Sequence, residues 1–343
     1  MRPSPRAASA LSAVLAAAVA VVSPAHGDSK TDNYKKFVKT AEDIVKERKI
    51  DRLRDAIKVL EDAVKLNVDN HAKKGIEYCK LMIEGNEAFK SRKYAAAQSK
   101  WEAAARVYNW GPMADGAAAK LAKAAEYKEG MAMGRAAMAR KEHGLAVVSF
   151  GKALSGKRDD PAAKELKKEA EARHAVDIGD REMAAKHYAK AVENHRGALL
   201  MYESKVPEAK GKLAKASMML GMELREDKKF AEAAQAFRNA KDLMPSEGLY
   251  KFLIFETAGL EYLANDKPAD AEKAFAECVK LFPGNKASAF YKFYAEGLRE
   301  MKAKNWGLAA VAFDSALKFD PGDSSLKAKA KDLYDDAIEE AKK

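Results

Sequence analysis

The chain has 343 residues, 48% of them hydrophobic and 33% charged, with a formal net charge of +11. That size allows more than one ordinary core, and the dominance of alanine, lysine, glutamate and leucine over glycine and proline predicts an all-helical protein. The positive charge reads more as solvated helix faces than as a phosphate-binding surface, because lysine is spread along every predicted helix and interleaved with acids such as Glu102, Glu165, Glu169, Glu171, Asp227 and Glu232.

Residues 1–27 read as a secretory signal peptide. Arg2 and Arg6 make a basic start, Ala7 to Val22 an apolar run, and Ala25-His26-Gly27 a small-residue cleavage site. The run is alanine-rich, broken by Ser9 and Ser12 and ended by Ser23-Pro24, so it is a poor membrane span. Cleavage after Ala25 or Gly27 fits equally. No cysteine adjoins the site, so lipid attachment is not expected. The remaining chain, with Cys79 and Cys278 as its only cysteines, is expected to be exported, periplasmic or secreted. The two cysteines are expected as unpaired thiols in distant units, Cys278 at a packed small-residue position.

Thr31 to Asn70 follows. Leu53, Ala56, Leu60 and Ala63 lie at i, i+3, i+7 and i+10, one face of a helix. Beyond it the same spacing recurs, each time after a small residue nine positions earlier. The first set is Tyr94, Ala97, Trp101 and Ala104, after Gly85. The second is His143, Ala146, Phe150 and Ala153, after Gly134. A weaker third is read as Arg181, Ala184, Tyr188 and Ala191, after Ala172. The fourth and clearest runs from Leu213 to Pro245, with Gly221, then Phe230, Ala233, Phe237 and Ala240. Gly259 precedes Pro268, Ala271, Phe275 and Cys278, closed by Pro283. Gly297 precedes Trp306, Ala309, Phe313 and Ala316, closed by Pro321. Each set describes a helical hairpin. The small residue lets two backbones approach, the aromatic fills the space between hairpins, and the alanines admit the next unit. Proline ends the second helix. In the N-terminal segment Ile44 stands where the small residue belongs, so residues 28–70 read as a degenerate end unit. After Pro321, Asp323-Ser324-Ser325 offers an N-cap to a charged helix from Leu326 to Ala341, a cap on the last apolar face. The largest extra lengths fall around Trp110-Gly111-Pro112 and between Asn194 and Lys212.

These offsets of glycine or alanine, bulky residue, alanine, aromatic, alanine and proline resemble the tetratricopeptide repeat family over about Gly75 to Pro321. The resemblance implies an all-α solenoid of helical hairpins, a right-handed superhelix. Residues 28–70 would be a degenerate N-terminal repeat, 71–321 six repeats, and 322–343 a C-terminal capping helix, with no linker between them.

Chemistry has little support. H-E-x-x-H, C-x-x-C, Walker, G-x-S-x-G and G-x-G-x-x-G motifs are absent from the sequence. His187 and His195 lie eight apart and could share a helix face, but histidines on a lysine-rich helix are usually solvated. No enzyme activity, metal or cofactor is expected.

What remains is a surface. The resemblance implies that the first helices of the repeats line a concave groove for a peptide or a partner's helix. Its groove positions fall on Met82, Asn86 and Phe89, then Met131, Arg135 and Met138. They continue with Met218, Met222 and Arg225, with Leu260 and Leu263, and with Tyr291, Tyr294 and Met301. Methionine suits a surface that accepts varied apolar partners; equally, the same stripe could pack between neighbouring helices. The lysine-and-asparagine clamp with which some such repeats hold a C-terminal carboxylate is missing, since methionine occupies the lysine places and only Asn86 matches. The expected function is an exported protein-interaction scaffold. The alternative is a basic adapter that binds polysaccharide, lipid headgroups or nucleic acid by charge, a mode that salt would weaken steeply.

Overall fold

The computed structural model describes residues 29–107 and 116–343. The signal-peptide reading of residues 1–27 and the Trp110-Gly111-Pro112 insertion lie outside these residues. Among the described residues every regular element is helical and no strand occurs. The chain divides into two compact units, the first ending at Lys164 and the second spanning Glu165–Lys343.

The first unit opens with α1 (Ser29–Lys46), a 3-10 turn (Ile50–Arg52) and α2 (Leu53–Lys65). Two longer hairpins follow, α3 (His71–Lys90) with α4 (Tyr94–Arg106), and α5 (Ala117–Ala139) with α6 (His143–Gly156). Helix α7 (Pro161–Ala184) carries the boundary between the units. In the second unit α7 leads to α8 (Tyr188–Tyr202), and α9 (Glu208–Glu226) pairs with α10 (Phe230–Leu243). Next come α11 (Gly248–Ala264) with α12 (Pro268–Leu281), α13 (Lys286–Lys302) with α14 (Trp306–Leu317), and the final α15 (Ser324–Ala341). The contacts between helices run mainly between neighbours in sequence within each unit, as in a stack whose members bury only their neighbours' faces.

Five of the six second helices begin on the residue read as the start of a set: Tyr94, His143, Phe230, Pro268 and Trp306. The third set is corrected. Arg181 and Ala184 belong to α7, and the second helix starts at Tyr188. The true register is therefore Tyr188, Ala191, His195 and Ala198, with Gly179 nine residues before Tyr188. Ala172 is buried one helical stretch too early to serve as the small residue. The reading slipped because it required a ring-bearing hydrophobe at the third place, where this hairpin has His195. The correction also moves most of the apparent insertion after Asn194, since α8 ends at Tyr202 and a single 3-10 turn (Glu203–Lys205) leads to α9. The extra length sits in the first helices instead: α5 and α7 have 23 and 24 residues, against 17 in α11 and α13.

Each of the six hairpins turns through the same device. Arg92, Lys141, Lys186, Lys228, Asp266 and Lys304 adopt φ between 55° and 62°. The next residue's N–H then donates back to the carbonyl five residues earlier, as in Lys229 to Leu224 (2.8 Å), His187 to Glu182 (2.9 Å) and Asn305 to Glu300 (2.9 Å). This left-handed closure satisfies the carbonyls that the first helix leaves open. None of the six is glycine, so each turn carries a Cβ in a conformation that disfavours one.

The end hairpin departs from the others in a compensating way. Leu53, Ala56, Leu60 and Ala63 are all buried, matching their reading. Partly buried Ile44 replaces the glycine and Leu60 replaces the ring, so bulk moves from the second helix to the first. At the other end Asp323 caps α15, its carboxylate accepting from the N–H groups of Ser325 (2.8 Å) and Leu326 (3.3 Å). Ala330 and Ala337 of α15 pack on the cluster around Phe290 and Phe313. Cys79 and Cys278 are free and buried, and burial pushes each thiol up to about 12, so neither is a nucleophile at neutral pH.

Candidate functional site: the first-helix face

One contact separates what the first helices must do for the fold from what they leave free. In each of the six hairpins a glycine of the first helix lies flat against a buried ring of the second. A Cβ built on Gly85 would sit 2.4 Å from the Trp101 indole, on Gly134 2.4 Å from Phe150, and on Gly179 2.5 Å from the His195 imidazole. Gly221, Gly259 and Gly297 each bring it to 2.6 Å from Phe237, Phe275 and Phe313. No other residue fits there without displacing the ring. The six hairpins repeat one contact, as their resemblance to tetratricopeptide repeats implies.

Comparison with known proteins adds no closer relationship. No family model matches the chain, and no curated protein matches it. Among solved structures it is similar to the C-terminal part of a TPR repeat-containing protein from Cytophaga hutchinsonii, at 14% identity and a TM-score of 0.30, covering 86% of this chain and 98% of that one. It is also similar to a tetratricopeptide repeat protein from Parabacteroides merdae, at 15% identity and a TM-score of 0.24, covering 89% and 98%. The TPR2AB-domain–pHSP90 complex of yeast Sti1 matches at 15% identity and a TM-score of 0.26, covering 78% and 98%. Scores this low leave the assignment of the repeat type to the chain's own residues and contacts.

The groove residues read from the sequence divide into two groups once placed on these hairpins. Met82, Met131 and Tyr294 are buried, at 6, 7 and 4% exposure. They pack inside: Tyr294 stacks on Phe290 at 5.7 Å, and Met82 belongs to the core around Tyr78 and Trp101. Phe89 is held by its own repeat, 5.3 Å from the Tyr94 ring and 5.5 Å from Trp101, with the Lys128 ammonium 4.9 Å above it. Of the other first-unit residues, Asn86 and Met138 are half-buried and Arg135 is exposed.

In the second unit the candidates come together. Met218 and Met222 of α9, Leu260 and Leu263 of α11, and Tyr291 of α13 are half-buried, with one side against the cluster of Phe237, Phe252 and Phe275. Tyr291 stacks on Phe275 with ring centroids 5.0 Å apart. Met301, also half-buried, leans on the next cluster with Tyr294. Arg225 of α9 pairs with Glu256 of α11, both side chains about one-fifth exposed. Burial pushes the Tyr291 hydroxyl up, reinforced by the Asp323 and Glu256 carboxylates and opposed by Arg225. Arg225, Glu256 and Tyr291 thus sit in one electrostatic neighbourhood formed by three successive first helices.

Glu256 was missed from the sequence. The signal was its place four residues before Leu260, on the same helical face; its pairing with Arg225, 31 residues away, has no sequence signature. His187 and His195, paired as a candidate face, part company in the structure: His187 is exposed and contacts Glu182 at 2.8 Å, while His195 is fully buried. No group of three or more His, Cys, Asp or Glu side chains able to hold a metal occurs among the described residues. No helix among them is long and apolar enough to cross a membrane.

Proposed function

We propose that the protein is an exported protein-interaction scaffold whose second unit holds a peptide segment or partner helix on its first-helix face. The observation that carries this reading is the joint placement of Met218, Met222, Leu260, Leu263 and Tyr291 beside the Arg225–Glu256 pair. The half-buried side chains form an apolar ridge with flexible members, suited to alternate side chains of a ligand. The partly desolvated ion pair supplies fixed donors and acceptors that orient it. Export rests on residues 1–27, whose basic start, apolar run and small-residue site have the pattern of a cleaved leader.

Met218 and Met222 lean on the phenylalanine cluster, so charge introduced there would damage the fold together with the surface. Arg225→Ala with Glu256→Ala is the cleaner test, because it removes both poles and strands neither charge. Partner capture from the native envelope is expected to be lost while helicity and melting cooperativity stay unchanged. Full capture by a folded double variant would contradict the reading.

A further inference from the structure

The first unit contains a cavity of about 340 Å³ that the partner surface does not use. It lies where the degenerate end hairpin meets α3 and α5. Its floor is apolar and buried, formed by Leu53, Tyr78 and Met82, with half-buried Leu121 beside them. Its exposed side is cationic, bearing Lys46, Arg48, Lys49 and Lys120. No aspartate or glutamate is among its lining residues. Lys46 and Lys49 do touch acids outside it, Asp43 at 3.0 Å and Glu47 at 3.9 Å, but those pairs are solvent-exposed and weak enough to open for a better-placed anion.

We propose that this cavity binds a small free anionic amphiphile, one unbranched acyl chain with a carboxylate head. The tail would lie on Leu53, Tyr78, Met82 and Leu121, and the head among Lys46, Lys49 and Lys120. The size fits a medium chain. At about 30 Å³ per heavy atom, the volume a water occupies in the liquid, the space holds about eleven such atoms. A ligand pocket of this size sits at the lower end of the usual range. A compact inorganic anion would leave the floor uncovered, and a peptide would need a longer channel. Because the cavity lies wholly in the first unit, its ligand and the partner of the second unit are separable.

The test is calorimetric titration of the full chain with decanoate, with 1-decanol and with inorganic phosphate, all below micellar concentration. One decanoate per chain is expected, bound at least tenfold more tightly than decanol, and no phosphate. Leu121→Trp fills the floor and should abolish decanoate binding. Lys46→Ser with Lys49→Ser and Lys120→Ser changes only exposed side chains and should weaken decanoate at least tenfold while leaving decanol unchanged. Undiminished decanoate binding in both variants would place the ligand elsewhere on the chain and overturn the proposal. Equal binding of decanol and decanoate, or attachment to phosphatidylglycerol vesicles without binding of soluble decanoate, would overturn it as well.

Discussion

Where the fourth hairpin buries Phe237 against Gly221, the third buries His195 against Gly179. The turns before the two second helices close alike, through Lys228 and Lys186, and both rings are fully buried. The chemistry differs. Phe237 contributes only contact area. Both nitrogens of His195 lack a hydrogen-bond partner, with an Asp180 carboxylate oxygen 3.7 Å from Nε2. An unpartnered buried polar group costs about 1–3 kcal/mol, so the third hairpin keeps the shape of the motif and gives up part of its stability. Ring shape at this position is an architectural requirement, and ring polarity is not.

The largest effect should come from deleting the rings. Phe237→Ala is expected to lose about 3–5 kcal/mol, the usual cost of emptying a buried aromatic site. His195→Ala should lose clearly less, because the cavity it creates is partly offset by removal of two unsatisfied nitrogens. Denaturant midpoints of the two variants measure the gap, and equal losses would erase the distinction between the hairpins.

Adding a methyl group beneath the rings should come next. Gly221→Ala and Gly179→Ala both force a Cβ into ring atoms, at an expected cost of about 1–3 kcal/mol. A neutral result at Gly179 alone would show that the imidazole can swing away and that its burial is loose.

Acid should then single out the third hairpin. Burial pulls the His195 pKa down, the Asp180 carboxylate opposes that shift, and the Lys212 ammonium adds to it. The unfolded chain, with an ordinary histidine pKa of about 6.5, therefore binds the proton more readily than the folded one. Stability from the neutral ring is present above that value and is lost as pH falls below it toward the depressed folded pKa. Native-state hydrogen exchange of α8 amides, divided by the intrinsic exchange rate at each pH, is expected to show protection factors that fall below about pH 6.5, with no matching fall in α10. His195→Phe should remove the acid response and stabilise the hairpin at neutral pH by about 1–2 kcal/mol, since the unpaired nitrogens are gone. An unchanged acid response in that variant would assign it to another group.

The smallest effect is at the turns. Lys228→Gly should stabilise by about 0.5–1 kcal/mol through relief of the left-handed Cβ, and Lys186→Gly by the same amount, because the two turns are alike. A different response would mean that the hairpins differ in backbone as well as in ring.

The hairpins were legible because their signal is local and repeated. A glycine, a start residue and a ring at offsets of nine and seven recur wherever the contact recurs, and five second helices start where that spacing puts them. The third was misplaced because His195 acts as an aromatic by shape while its composition reads as polar. Binding residues were less legible, for a physical reason: a methionine at a free first-helix position has the same sequence signature whether it faces solvent or the neighbouring helix. Only packing separates buried Met82 and Met131 from half-buried Met218 and Met222. The Arg225–Glu256 pair depends on which helices become neighbours, and the cavity beneath Lys46, Lys49 and Lys120 depends on an end hairpin meeting helices far along the chain. No spacing encodes either.

The central functional claim is that the partner lies on the first-helix face of the second unit. The most direct measurement places a photo-crosslinking residue at Leu260 on that face and, separately, at Leu308 of α14, an apolar position exposed on a second helix, and irradiates each in the cells that make the protein. One partner chain crosslinked from position 260 and not from 308, at an intensity that moderate salt leaves unchanged, is the predicted result. Crosslinking from 308 alone, or equal crosslinking from both that salt abolishes, would contradict it and favour attachment by surface charge.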